Sequence, residues 1–144
     1  MGIKRMAVIG LGMMGTPISA LLLKAGYAVT GYDVVKKQMA DLVPQGMKPA
    51  ASPREAVKDA ELVILSLANW KILQEVVTGK AGIHKGLRRG QIIADMSTSP
   101  PEATIAMAKT MAARGVDWMD IPISGSSAQA RVGNMVFMAG GKKS

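Results

Sequence analysis

The stretch Arg5-Met6-Ala7-Val8-Ile9-Gly10-Leu11-Gly12-Met13-Met14-Gly15 decides the fold. Arg5 to Ile9 reads as a short strand, and glycines then recur at the spacing G-x-G-x-x-G. Residues 13–24 carry a helical pattern with Ile18, Leu21 and Leu22 on one face, and Gly26, lacking a Cβ, allows the left-handed end. A second strand over 28–32 follows at once and closes on Asp33, 18 positions after Gly15. Strand, glycine loop, helix, strand and terminal acid together are what dinucleotide binding requires.

Each residue of that loop has a physical task. Gly10 permits the tight turn, Gly12 lets the backbone approach a pyrophosphate without a Cβ clash, and Gly15 lets the helix pack closely on the strand. Leu11, Met13 and Met14 fill the loop between them, and the helix start adds unpaired amides and a partial positive charge. Asp33 would accept hydrogen bonds from both hydroxyls of the adenosine ribose and repel a 2′-phosphate, which favours NAD over NADP. Lys36 and Lys37 would reach a 2′-phosphate only if Asp33 swung aside. The same glycines would also serve a tight turn that binds nothing.

Outward from this segment, short apolar runs alternate with helical stretches, the pattern of βαβ units on a parallel sheet. The reading places helices at 35–42, 53–60, 70–77 and 101–114, with a shorter one at 126–131. It places strands at 47–50, 62–67, 91–95 and 117–121, and a seventh at 134–139. Ser52-Pro53-Arg54-Glu55 reads as a capping box, and Ser99-Pro100-Pro101-Glu102 as a second helix cap. The fold class is α/β: a Rossmann-type, doubly wound, mostly parallel sheet with helices on both faces.

Composition narrows the chemistry. The chain has 144 residues, 49% hydrophobic and 19% charged, which suits one domain spanning 1–144 and leaves no room for a second. No cysteine is present and His84 is the single histidine, which excludes disulfides, thiolate catalysis and metal centres built on cysteines or several histidines. No apolar run approaches the ~18 residues of a membrane span, and no secretory signal pattern opens the chain, so cytoplasmic residence is expected. The net charge of +8 would suit a polyanion, but aromatics are only 3% and the basic residues are dispersed, which argues against nucleic acid. The basic stretch 80–89 reads as a solvated loop, and the twelve methionines as gap-filling core. Trp70 and Trp118 receive no ligand role.

Three motifs in order carry a family resemblance: the glycine loop, Asp95-Met96-Ser97-Thr98-Ser99-Pro100-Pro101, and Asp120-Ile121-Pro122-Ile123-Ser124-Gly125-Ser126. With the terminal Gly133-Asn134-Met135-Val136-Phe137-Met138-Ala139-Gly140-Gly141, the whole chain resembles the amino-terminal cofactor-binding domain of the β-hydroxyacid dehydrogenases. That family includes 3-hydroxyisobutyrate dehydrogenase, tartronate semialdehyde reductase and, more distantly, 6-phosphogluconate dehydrogenase. The resemblance implies an NAD(P)-dependent oxidoreductase moving a hydride between nicotinamide and a small carboxylate-bearing hydroxyacid or semialdehyde. It implies that Leu67 and Ala68 lie along the cofactor, that Thr98 lies near the nicotinamide, and that Ser124, Gly125 and Ser126 hold the substrate carboxylate. Ala68 stands where proline is usual, and Ser126 where glycine is commoner. A capped turn without a ligand is the other reading of Ser124 to Ser127.

The resemblance also implies what is missing from 1–144. The family's catalytic lysine stands on a helix beyond this length, so no catalytic residue is assigned here, and Lys142 and Lys143 come too early and read as a solvated tail. The domain is then expected to be incomplete at its carboxyl end, very slow in hydride transfer alone, and inclined to form a homo-oligomer over exposed apolar surface. The alternative is a stand-alone nucleotide-binding or regulatory module without catalysis.

Overall fold

β1 (Arg5–Ile9) lies at the centre of the sheet, because Met6 to Ile9 must be covered on both faces. In the computed structural model, which describes residues 2–141, it pairs in parallel with β2 (Ala28–Tyr32) on one side and β4 (Leu62–Leu65) on the other. β3 (Lys48–Pro49), β5 (Ile92–Asp95) and β6 (Asp117–Asp120) extend it outward in the order β3-β2-β1-β4-β5-β6, every pairing parallel. This is the doubly wound Rossmann arrangement expected from the sequence.

Alternation along the strands divides the core into two layers. Met6, Val8, Ile64 and Ala94 face α1 (Gly15–Lys24), packing with Ile18, Leu42 and Met47. Ala7, Ile9, Val63, Leu65 and Ile93 point the other way. They meet Ala56 and Val57 of α3 (Pro53–Val57), Leu73 and Val77 of α4 (Trp70–Thr78), and Met107 and Met111 of α5 (Pro101–Ala112). Each Val, Leu, Ile or Met among them contributes about 1.5–3 kcal/mol on burial. α2 (Lys36–Ala40) is short and buries none of its residues. Met6, Met47, Met107 and Met111 are core, as expected, but Met13 is 80% exposed in the glycine loop.

Several boundaries differ from the sequence reading. The first helix begins at Gly15 rather than 13, because the preceding residues form the turn. The helix expected at 35–42 is five residues long and gives way to a 3-10 turn containing Pro44 (Val43–Gln45). β4 stops at Leu65, two residues early, because the Leu67 amide leaves the ladder for the Ser97 hydroxyl. Ser52 does cap α3, accepting from the Glu55 amide (3.1 Å), but the Glu55 carboxylate reaches the amide of Ala51 rather than that of Ser52. Ser99 caps nothing: Pro100 takes the cap position of α5, and the Ser99 hydroxyl finds no partner among the described residues.

The carboxyl end departs most. The expected seventh strand at 134–139 shrinks to β8 (Val136–Phe137) and pairs antiparallel with β7 (Ile123–Ser124), outside the main sheet. α6 (Ser127–Arg131) fills the connection, and so few residues cannot make the long crossover that a parallel pairing demands. Gly140 and Asp120 exchange backbone hydrogen bonds of 2.8 Å, returning the chain to the β6 edge. No described helix is long and apolar enough to cross a membrane. Lys142 and Lys143 lie outside the described residues.

Candidate functional site

The glycine loop, Asp33, Leu67, Ala68 and Thr98 sit at or just beyond the carboxyl ends of β1, β2, β4 and β5, where ligands bind in open α/β sheets, and Ser124 to Ser126 sit in the β7 hairpin outside the main sheet. The glycine loop follows β1. Gly10 has φ +92°, and a Cβ there would stand 2.1 Å from the Ser66 carbonyl oxygen and 3.1 Å from Leu67 Cδ2. A Cβ on Gly15 would lie 1.8 Å from the Gly10 carbonyl. These two glycines are therefore demanded by the fold itself.

Gly12 is different. A Cβ on Gly12 would meet nothing within 4 Å, so protein packing gives no reason for glycine there. Space left beside the backbone at this position is what close approach by a pyrophosphate needs. α1 has no side-chain cap and no acidic residue in its first turn, and the Thr16 amide reaches back to the Gly12 carbonyl of the loop (3.1 Å). No acidic side chain of its own first turn thus offsets the positive end of its dipole, a condition under which a helix start takes a phosphate. The residues present fit a dinucleotide.

Asp33, half-buried at the end of β2, is clamped by two amides. Leu11 donates to Oδ2 (2.7 Å) and Val35 to Oδ1 (2.8 Å). Each carboxylate oxygen keeps a further lone pair for a hydroxyl. The two amides hold the carboxylate in one orientation. Lys37 is engaged with Asp41 at 2.7 and 3.0 Å, turned to its own helix rather than to Asp33. Beside Asp33, Val34 is 82% exposed, so apolar surface borders the site.

Leu67 and Ala68 follow β4, and Thr98 follows β5, exposed beside a buried Ser97. The Ser97 hydroxyl accepts from the Leu67 amide at 3.0 Å, joining the two loops. Asp95, whose Oδ1 accepts from the Ser97 amide at 2.9 Å, is fully buried, and its Oδ2 has no partner among the described residues. Burial, helped by nearby Asp120, pushes its carboxyl up to about 6 against the hydrogen bonds from Ser97. Sequence reasoning assigns no role to Asp95, Ser97 or Ser66. An acid directly after the apolar run Ile92-Ile93-Ala94 is the signal that could have found the first of them.

The third motif is more committed to structure than its composition suggests. Ser124 lies in β7, Gly125 has φ +149°, and Ser126 caps α6 in a full capping box with Gln129. The Ser126 Oγ accepts from the Gln129 amide (3.2 Å), and its own amide donates to Gln129 Oε1 (2.7 Å). Its hydroxyl proton remains to bond elsewhere. Met14, Ile123 and Met135 pack into the same core layer, which holds this hairpin beside the glycine loop.

Comparison with known proteins follows the same line. Residues 5–144 match the family model for the NAD binding domain of 6-phosphogluconate dehydrogenase. The chain is 38% identical over 135 residues to 3-sulfolactaldehyde reductase of Escherichia coli strain K12, covering 94% of this chain and 45% of that protein. It superimposes on the Mycobacterium tuberculosis 3-hydroxyisobutyrate dehydrogenase solved with L-serine at a TM-score of 0.92, with 27% identity, over 99% of this chain and 48% of that one. Psf3, solved with NADP+ and 2-OPP, matches at a TM-score of 0.90 and 26% identity, over 95% and 49% of the two chains. The chain thus spans about half the length of the relatives it matches. Its fold, its glycine loop and its match across residues 5–144 place it in the family of the 6-phosphogluconate dehydrogenase NAD-binding domain, with relatives among the 3-hydroxyisobutyrate dehydrogenases.

Proposed function

We propose that this chain is the cofactor-binding portion of an NAD-dependent oxidoreductase whose substrate is a small β-hydroxyacid or the corresponding semialdehyde. The observation that carries it is the pairing of open backbone space at Gly12 with an Asp33 carboxylate clamped by the Leu11 and Val35 amides. In this reading Gly10 to Gly15 hold the pyrophosphate against the start of α1, and Asp33 accepts from the adenosine ribose. Leu67, Ala68 and Thr98 flank the nicotinamide half, and Ser124, Gly125 and Ser126 bind the substrate carboxylate through amides and hydroxyls. The bound nicotinamide supplies the hydride acceptor or donor. No residue of 1–144 is assigned to the accompanying proton transfer. The fixed negative charge of Asp33 selects NAD over NADP by repelling a 2′-phosphate. Val132, Val136, Phe137 and Met138 leave apolar surface exposed on and around β8, which supports self-association.

Fluorescence titration of the 144-residue chain with NADH and NADPH tests the reading. The expected result is saturable NADH binding, at least tenfold tighter than NADPH, that weakens at least tenfold in Asp33→Ala. Binding of neither nucleotide overturns it, and equal affinity for both removes the NAD selection. Light scattering that shows a monomer at every concentration removes the self-association.

A further inference from the structure

The carboxyl ends of β4 and β5 are joined by a polar relay that the fold does not need for covering its core. The Leu67 amide, which would otherwise continue the β4 ladder, donates to Ser97 Oγ (3.0 Å) across 30 positions of sequence. Ser97, 4% exposed, is held in turn by the hydrogen bond its amide donates to Asp95 Oδ1 (2.9 Å). Asp95 is 0% exposed, and its second oxygen is left without a partner among the described residues. Leu67 also abuts the glycine loop, since a Cβ on Gly10 would lie 3.1 Å from its Cδ2 and closer still to the Ser66 carbonyl. Three loops, after β1, β4 and β5, are therefore linked through these side chains.

A buried carboxyl with an unsatisfied oxygen opposes folding. An apolar side chain at the same place would spare the protein that cost and would lose the relay. Groups that oppose stability at the mouth of a sheet are where function is to be sought. Thr98 is the exposed neighbour of Ser97, and Ala68 the exposed neighbour of Leu67. Fixing Ser97 and Leu67 therefore fixes the backbone from which both exposed residues project.

We propose that Asp95 is a positioning residue, acting through Ser97 to lock the Leu67–Ala68 and Thr98 loops into one ledge against which the nicotinamide half of the cofactor is laid. The inference rests on the cofactor reading above, and it adds residues that touch no ligand. Asp95 orients Ser97, Ser97 holds the Leu67 amide, and the ledge stays in place before a ligand arrives. Preorganisation of this kind lowers the ordering cost of binding.

The test has two independent readouts. Amide hydrogen exchange at Leu67 reports the tie itself and needs no cofactor, while NADH titration reports its use. Ser97→Ala and Asp95→Ala are expected to speed Leu67 exchange at least tenfold, with Val63 and Ile93 amides in the strands unchanged, and to weaken NADH binding at least tenfold. Asp95→Asn keeps the Oδ1 acceptor and is expected to stay within threefold of the unmodified chain in both. If Asp95→Ala fails to fold, Ser97→Ala and Asp95→Asn carry the test alone. Unchanged Leu67 exchange in Ser97→Ala overturns the proposal. Faster exchange with unaltered NADH affinity also overturns it, because the ledge would then be structural only. Faster Leu67 exchange in a chain whose unmodified form binds no NADH leaves the tie standing and overturns the cofactor reading instead.

Discussion

At the amino ends of β4 and β5 the polar side chains of Glu61 and Gln91 close on the protein itself, whereas at the carboxyl ends several are left open. Gln91, 4% exposed at the start of β5, donates to the carbonyls of Val57 (2.7 Å) and Ala60 (2.6 Å) and accepts from the Arg88 amide. Glu61, ahead of β4, accepts from the amides of Lys4 (2.9 Å) and Arg5 (2.8 Å), and these bonds hold its carboxyl below the ordinary range. At the other rim the second oxygen of Asp95 and the hydroxyl of Ser99 are unpartnered among the described residues, Gly12 faces open space, and Met13 and Val34 are about four-fifths exposed. Both rims belong to the same six strands. Gln91 and Glu61 at the first rim bond within the chain, whereas Asp95 and Ser99 at the second keep polar atoms without a partner among the described residues.

The contrast breaks most visibly at the glycines. Gly10→Ala should cost at least about 3 kcal/mol, because the new Cβ meets backbone at a left-handed φ. Urea unfolding would measure that loss. Gly12→Ala should leave the urea midpoint unchanged and weaken NADH binding at least tenfold, so an equal loss of stability in both would erase the distinction between them.

Gln91→Ala should destabilise by about 3 kcal/mol by stranding the Ala60 carbonyl and the Arg88 amide, with NADH affinity untouched. The opposite sign is expected for Asp95. Its carboxyl titrates at about 6 in the folded chain against 3.8 for the ordinary group, so between those values the native state holds a proton that the unfolded chain has released. Stability attributable to Asp95 therefore falls as pH rises from 4 to 7, and the difference sets a ceiling of about 3 kcal/mol. Asp95→Asn should stabilise the chain at pH 8 and flatten this part of the profile in denaturant titrations. Lys37→Ala, which breaks an exposed pair with Asp41, should change stability by no more than about 0.5 kcal/mol.

What the sequence made legible was local. The glycine loop and Asp33 were readable because a turn, a helix start and a strand end each leave a mark within a few residues. The strands over 5–9 and 62–67 were readable because short apolar runs alternate with helical stretches along the chain. The relay from Asp95 to Leu67 was not readable, since it joins residues 30 apart through a single hydroxyl and leaves no periodicity. β7 and β8 failed for a related reason: two-residue strands carry no alternation, and their pairing is decided by the reach of the connection. Ser99 misled because proline took the cap position that its hydroxyl would otherwise serve.

The strand order carries a consequence for how the chain comes together as it leaves the ribosome. β1, the first of these six strands in chain order, lies inside the sheet, and β2 and then β3 add outward on one side before β4, β5 and β6 add outward on the other. Each new strand finds an edge already exposed by its predecessors, and none has to be inserted between two strands in place. A parallel sheet, slow to assemble because all its pairings are distant in sequence, here has an assembly path that follows the order of synthesis.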